Sequence, residues 1–385
     1  MKLVDYAAAN ASRTFKSIPF NEVDALLFAQ IAYYDYRVVE DGISFGEIQN
    51  HPNVLKVTGL RNLIGNVDER LFNIIIGSKR YRDVVVKWHV NDMDEKKAQQ
   101  FSATTFMLPN NIVVIAFRGT DGTIVGWHED MNMTYMFPIP SQTRAQEYIN
   151  KVLPRIHSDK VVVVGHSKGG NLAVYASVMA SEKHQYQIKA VYNFDGPGFN
   201  DAFYDLDAYK NIKDKLYKFI PPQSSIGRML KDDGGYRVIK SDEKYARQHW
   251  AHNWYIEDNH FVYEESPDFF SNTVDYSTDA VILNMTKDER KEAVAIMFEI
   301  LAKTDCVYMD DIWENRDKIM VLIKEYGALK ERRAAVNRFV TELFKPMLKI
   351  YANRQYLVAK DMVKEKTDVI VDKVKYTIKN FRNRD

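Results

Sequence analysis

The sequence predicts an α/β fold: a central, mostly parallel sheet covered by helices, followed by a helical C-terminal region. Three observations carry this. The run Val161-Val162-Val163-Val164 is apolar without alternation, as in a strand buried on both faces. Strand-like runs then alternate with helix-like stretches as far as Ile239, the pattern of a parallel, covered sheet. From Met285 onward the texture is helical and charge-laced, opening with the capping box Thr286-x-x-Glu289.

Taken in order, Val23, Leu26, Leu27 and Ile31 have helical spacing, and Asn21 with Asp24 supplies the N-terminal capping signal. The stretch from Glu40 to Glu95 shows no clear period beyond helix-like spacing over Asn66 to Ile76, and Asn91 to Gln100 reads as a charged patch. Phe101 to Leu108, a turn at Pro109-Asn110-Asn111, and Ile112 to Phe117 read as a hairpin. A helix through Ala145, Tyr148, Ile149 and Val152 ends at Pro154. Beyond the valine strand come a helix over Asn171 to Met179 and strands at Ile188 to Phe194, Leu216 to Ile220 and Tyr236 to Ile239. The helical tail is interrupted near Gly327 and Pro346.

With 385 residues the chain exceeds one core, since single cores stop growing near ~250–300 residues. The expected division is an α/β domain over 1–280 and a helical region over 281–385. The 53 basic and 52 acidic residues nearly cancel, which excludes an electrostatic nucleic-acid binder and gives no reason for stable membrane association. Asp5 stands where a signal peptide would need its apolar core, and no apolar run is long enough to span a bilayer, so a cytoplasmic location is expected. The lone Cys306 offers neither an intramolecular disulfide nor a structural zinc site.

The chemistry concentrates at Gly165-His166-Ser167-Lys168-Gly169. A serine hydroxyl attacks only when a base can take its proton and the substrate carbonyl can come close, and a sharp strand-to-helix turn provides both. The valines before Ser167 and Asn171-Leu172-Ala173-Val174-Tyr175-Ala176 after it supply that strand and helix. This context points to an α/β-hydrolase with Ser167 as nucleophile. The bland alternative is a Gly-rich turn that merely packs a helix on a sheet. Acyl transfer also needs donors aimed at the tetrahedral oxygen. The Lys168 amide gives one, and Thr120, ending Ala116-Phe117-Arg118-Gly119-Thr120, is placed to give another.

These two segments resemble the paired signatures of the fungal-type, or class 3, lipases. Pro19 to Asp24, Gly126-Trp127-His128-Glu129-Asp130 and Pro222-Gln223-Ser224-Ser225 resemble more closely a lipase-like family of uncharacterised bacterial proteins, over roughly Phe15 to Tyr263. The resemblance implies a Ser-Asp-His triad, an oxyanion hole at Thr120 and Lys168, and a lid after Thr120, here containing Met131, Met133, Tyr135, Met136 and Phe137. Those residues also suit ordinary packing. Lys168 replaces the apolar residue of many such lipases, and its side chain is expected to point to solvent.

The triad acid of class 3 lipases follows the strand that here ends at Ile220, but Pro221 to Ser225 contains no carboxylate. Asp195, opening Asp195-Gly196-Pro197-Gly198-Phe199 one strand earlier, resembles the acid loop of pancreatic-type lipases and is the preferred candidate. Asp205 and Asp232 are reserves, and capping of the Gly-Pro turn is the structural alternative for Asp195. The base must follow the last sheet strands, which leaves His249, His252 and His260. His249 is preferred because Gln248-His249 followed by Trp254 resembles the bacterial family's motif. His166 is expected to pack, and Asp130 to tie down the loop after Thr120. His128-Glu129-Asp130 does not converge on one ion, so no metal is expected, and no cofactor.

The resulting expectation is an esterase or lipase-like serine hydrolase acting on a small-molecule or lipid ester. A thioesterase or amidase would use the same residues, and a catalytically dead hydrolase fold serving as a binding module is the reading from another class. The C-terminal Val363, Val369, Ile370 and Val374, flanked by lysines, read as an amphipathic helix.

Overall fold

The computed structural model describes residues 1–48, 65–233, 235–265, 285–338 and 340–341. The expectations placed on Pro346 and on the run from Val363 lie outside them. Contacts divide the chain into two compact units, Met1–Leu322 and Ile323–Asp385, so residues 286–322 are counted with the first.

The first unit is built on an eight-stranded sheet. Its strands are β1 (Val85–Asp94), β2 (Gln99–Met107), β3 (Val113–Phe117), β4 (Val161–His166), β5 (Ile188–Phe194), β6 (Leu216–Ile220), β7 (Tyr236–Ile239) and β10 (Tyr263–Glu264), lying in that spatial order. The short β8 (Ile256–Glu257) and β9 (His260–Phe261) pair separately. Strands β3 to β7 run parallel, whereas β1, β2 and β10 are antiparallel to their neighbours. Side-chain alternation along the strands feeds two cores. Val162 and Val164 enter one with helices α1 (Leu3–Ala9) and α2 (Glu22–Ile31). Val161 and Val163 enter the other with α6 (Pro140–Val152) and α7 (Lys168–Val178). A mostly parallel sheet with helices on both faces and a serine-bearing turn after a central strand is the α/β-hydrolase fold.

Local chemistry explains the entry helix. Asn21 accepts the N–H groups of Val23 and Asp24, while the Asp24 carboxylate returns to the Asn21 N–H, a complete capping box. Asp24 is itself fully buried, and takes bonds from the Arg80 guanidinium and, at 2.7 Å, the Tyr81 hydroxyl. A buried carboxylate is tolerable only when so paired.

Two further helices, α3 (Phe45–Ile48) and α4 (Gly65–Gly77), precede the sheet, and α5 (Ile124–Asn132) follows β3. The patch expected over Asn91 to Gln100 is instead the end of β1 and the start of β2. A register shift between Lys87 and Val90 breaks the alternation that would have marked β1 as a strand. Residues of the helical tail reach the sheet's upper edge. Ile124 N–H donates to the Val307 carbonyl at 2.9 Å, Met309 N–H donates to the Gly122 carbonyl at 3.0 Å, and the rings of His128 and Phe298 stack 3.9 Å apart. No helix among the described residues is long and apolar enough to cross a membrane.

Candidate active site

Ser167 sits between β4 and α7 with φ 59° and ψ −135°. A non-glycine residue at such a φ is strained by roughly 1–3 kcal/mol and is held there only by its surroundings. Here its N–H donates to the Phe194 carbonyl at 2.9 Å, and its carbonyl accepts the Gly170 N–H at 2.8 Å. The flanking glycines make the turn possible by close approach. A Cβ on Gly165 would collide with the Gly169 carbonyl, and one on Gly169 with the Phe117 carbonyl. β3, β4 and the start of α7 therefore meet at backbone contact.

At the C-terminal end of β5, Asp195 is also held at positive φ, 52°, and is fully buried. His249, at the end of a short 3₁₀ turn (Tyr245–His249), donates from Nδ1 to Asp195 Oδ2 at 2.6 Å. That fixes the imidazole tautomer and leaves the lone pair on Nε2. The other carboxylate oxygen accepts the Ser224 hydroxyl, and Ser224 in turn accepts the Gly227 N–H at 2.9 Å. Ser224 lies in the segment after β6 that lacks a carboxylate. That segment has no acid of its own, but its hydroxyl supports the acid at the end of the neighbouring strand.

The histidine loop is fixed from several sides. Gln248 accepts the Gln223 N–H at 2.7 Å and donates to the Glu243 carbonyl at 2.7 Å, while its own carbonyl accepts the Trp254 indole N–H at 2.8 Å. His166 is buried beneath this loop, its ring centre 4.6 Å from that of His249. Its Nε2–H donates to the His249 carbonyl at 2.8 Å, so its Nδ1 is the acceptor for the Tyr33 hydroxyl at 3.3 Å. Burial, with His249 beside it, drives the His166 pKa well below the ordinary imidazole value. Of the remaining candidates, His252 lies near enough to His166 to help lower its pKa. His252 is buried with Ala251 and Trp254, and His260 is largely exposed near Glu22. Asp232 pairs with Lys218, and Asp205 caps a short helix.

On the other side of Ser167 runs the loop after β3, with Gly119 so close that a Cβ there would lie 3.1 Å from Ser167 Cβ. The Thr120 hydroxyl donates to Asp130 Oδ2 at 2.6 Å. Lys168 stands at the first position of α7, where a backbone N–H has no partner within the helix. Its side chain corrects the expectation from sequence. It does not reach solvent but is buried, 2 % exposed, with Nζ donating to Glu129 Oε2 at 2.8 Å, Gln100 Oε1 at 3.0 Å and the Gln100 carbonyl at 3.1 Å. The helix following Thr120 is thus pinned to the core by Glu129. Met136 and Phe137 beyond it are partly exposed.

A family model described as Mbeg1-like matches residues 75–299, which span β1 to β10 and every residue of this constellation except Tyr33. The chain belongs to the Mbeg1-like family. Among solved structures it is similar to the crystal structure of M37 lipase, at 18 % identity and a TM-score of 0.35, over 53 % of this chain and 67 % of that one. No curated protein matches. Among the described residues of this Mbeg1-like chain, no group of three or more His, Cys, Asp or Glu could hold a metal ion.

Proposed function

We propose that the chain is a serine hydrolase that cleaves carboxylic esters through an acyl-serine intermediate. The observation that carries this is the 2.6 Å bond from His249 to the buried Asp195, beside a serine held at φ 59° on a strand-to-helix turn. In this reading Ser167 Oγ attacks the ester carbonyl while His249 Nε2 takes its proton. The C–O bond to the alcohol then breaks as the same imidazolium returns that proton to the departing oxygen. Water, deprotonated by His249, releases the acid in a second cycle. Asp195 keeps the proton of the resting imidazole on Nδ1 and stabilises the imidazolium. The backbone N–H groups of Thr120 and Lys168 receive the charge on the tetrahedral oxygen, a contribution of about 2.7–4 kcal/mol per donor in comparable sites. A thioester or amide would follow the same path, and the site is proposed to need no cofactor.

Covalent labelling tests the reading. A fluorophosphonate is expected to add once to the wild-type chain and not at all to Ser167→Ala, as read by intact mass. Stoichiometric labelling of the alanine variant, or none of the wild type, would overturn it.

A further inference from the structure

A lysine is a poor choice at the first position of a helix. Its charge meets the positive end of the helix dipole, and burying an ammonium costs several kcal/mol unless it is fully bonded. Lys168 accepts both penalties, and all three of its N–H bonds are satisfied by Glu129 and Gln100.

Glu129, entirely buried, is a junction. Its Oε2 also accepts the Gln100 N–H at 3.0 Å, and its Oε1 accepts the Ser141 N–H at 2.7 Å. It therefore joins the starts of β2, α6 and α7 to α5. The next residue, Asp130, holds the Thr120 hydroxyl on Oδ2, and its Oδ1 lies 3.6 Å from the Lys168 ammonium. Thr120 and Lys168 are the two residues whose backbone N–H groups face the tetrahedral oxygen in the reading above. Their side chains end on adjacent acids of one helix.

We infer that the Lys168 side chain is a positioning group of the oxyanion hole: with Glu129 and Asp130 it braces the Lys168 and Thr120 amides at a fixed separation. This rests on the proposed hydrolase activity. An apolar residue at 168 would fill the space but hold neither acid. The charge balance agrees with the geometry. Burial alone would lower the lysine pKa, yet Glu129 and Asp130 hold it above the ordinary value, while burial raises that of Asp130 against the pull of Lys168 and Thr120.

The test uses the full chain and a chromogenic short-chain ester, with turnover normalised to serine titrated by fluorophosphonate. Unfolded protein then does not count. In Lys168→Met, kcat per titrated serine is expected to fall about 10- to 100-fold with KM within about twofold, as for loss of a transition-state interaction. Affinity for a boronic acid, which forms a tetrahedral adduct, should fall by a similar factor. Thr120→Val keeps the amide and removes the hydroxyl. Combined with Lys168→Met it should cost little more than the larger single loss, because both cut one brace. If Lys168→Met gives no titratable protein, Glu129→Asp, which withdraws the carboxylate by one methylene, is read by the same criterion.

A per-serine kcat within twofold of wild type, a loss carried by KM, or losses that multiply in the double variant would overturn the proposal while leaving the hydrolase reading intact. A wild type that neither labels nor turns over would sink both.

Discussion

Asp195 and Glu129 are both fully buried carboxylates at the same edge of the sheet, yet they are bonded differently. Glu129 has a permanent countercharge, Lys168, and two backbone N–H donors. Asp195 has a serine hydroxyl and an imidazole that is charged only when it holds a second proton. The comparison separates two uses of a buried charge. With a fixed ammonium the charge is neutralised in the resting protein and serves to hold elements together. With neutral donors it stays available, and in the proposed mechanism its attraction grows at the moment the histidine becomes an imidazolium.

The largest effect expected from breaking this contrast is at Asp195. Asp195→Asn keeps the size and the hydrogen bond to Ser224, but its amide favours the wrong imidazole tautomer. Ester turnover should drop by about 10⁴-fold with little loss of thermal stability. A near-normal rate in stopped assays would remove Asp195 from the role of acid.

At Glu129 the expected effect falls on stability instead. Glu129→Ala leaves the buried Lys168 ammonium without its nearer ion-pair partner, with only Asp130 at 3.6 Å, and frees the N–H groups of Gln100 and Ser141. Urea unfolding should show a loss of about 3–5 kcal/mol. A loss below about 1 kcal/mol would mean that water or Asp130 replaces the carboxylate at no cost.

The smallest effect concerns His166 and pH. Its folded pKa lies well below the ordinary value, chiefly through burial, so below about pH 6.5 the unfolded chain takes up a proton that the folded chain refuses. Its contribution therefore makes stability fall as pH falls from about 6.5 towards 5, by at most about 1.4 kcal/mol per pH unit. His166→Asn should flatten the Tm profile over that window relative to wild type. An unchanged slope would show that other groups, His89 and His128 among them, set it.

How much of this was legible in the sequence follows from how far apart the deciding residues lie. The valine strand, the serine turn and the Thr286 cap are local patterns, and the structure has them where the sequence placed them. β1 was missed because its register shift disrupts the period of two that identifies an edge strand. The burial of Lys168 was invisible for a different reason. Its partners are 39 and 68 residues away, and no local pattern distinguishes a lysine that will meet a buried glutamate from one that will meet water. Ser224 and Tyr33 were missed likewise, since a hydroxyl carries no spacing signature. Asp195 and His249 stand out in the sequence largely through resemblance. That their side chains meet is a fact of the folded chain alone.

The backbone pairing of Gly122 and Ile124 with Val307 and Met309 bears on how this protein can be cut and rejoined. A fragment ending after the last sheet strand would retain every residue of the constellation, yet leave the backbone partners of Gly122 and Ile124 behind on the discarded piece. For a domain graft or a minimal expression fragment, the usable seam therefore lies beyond Met309. The stretch before it travels with the sheet that carries Ser167 as one cassette.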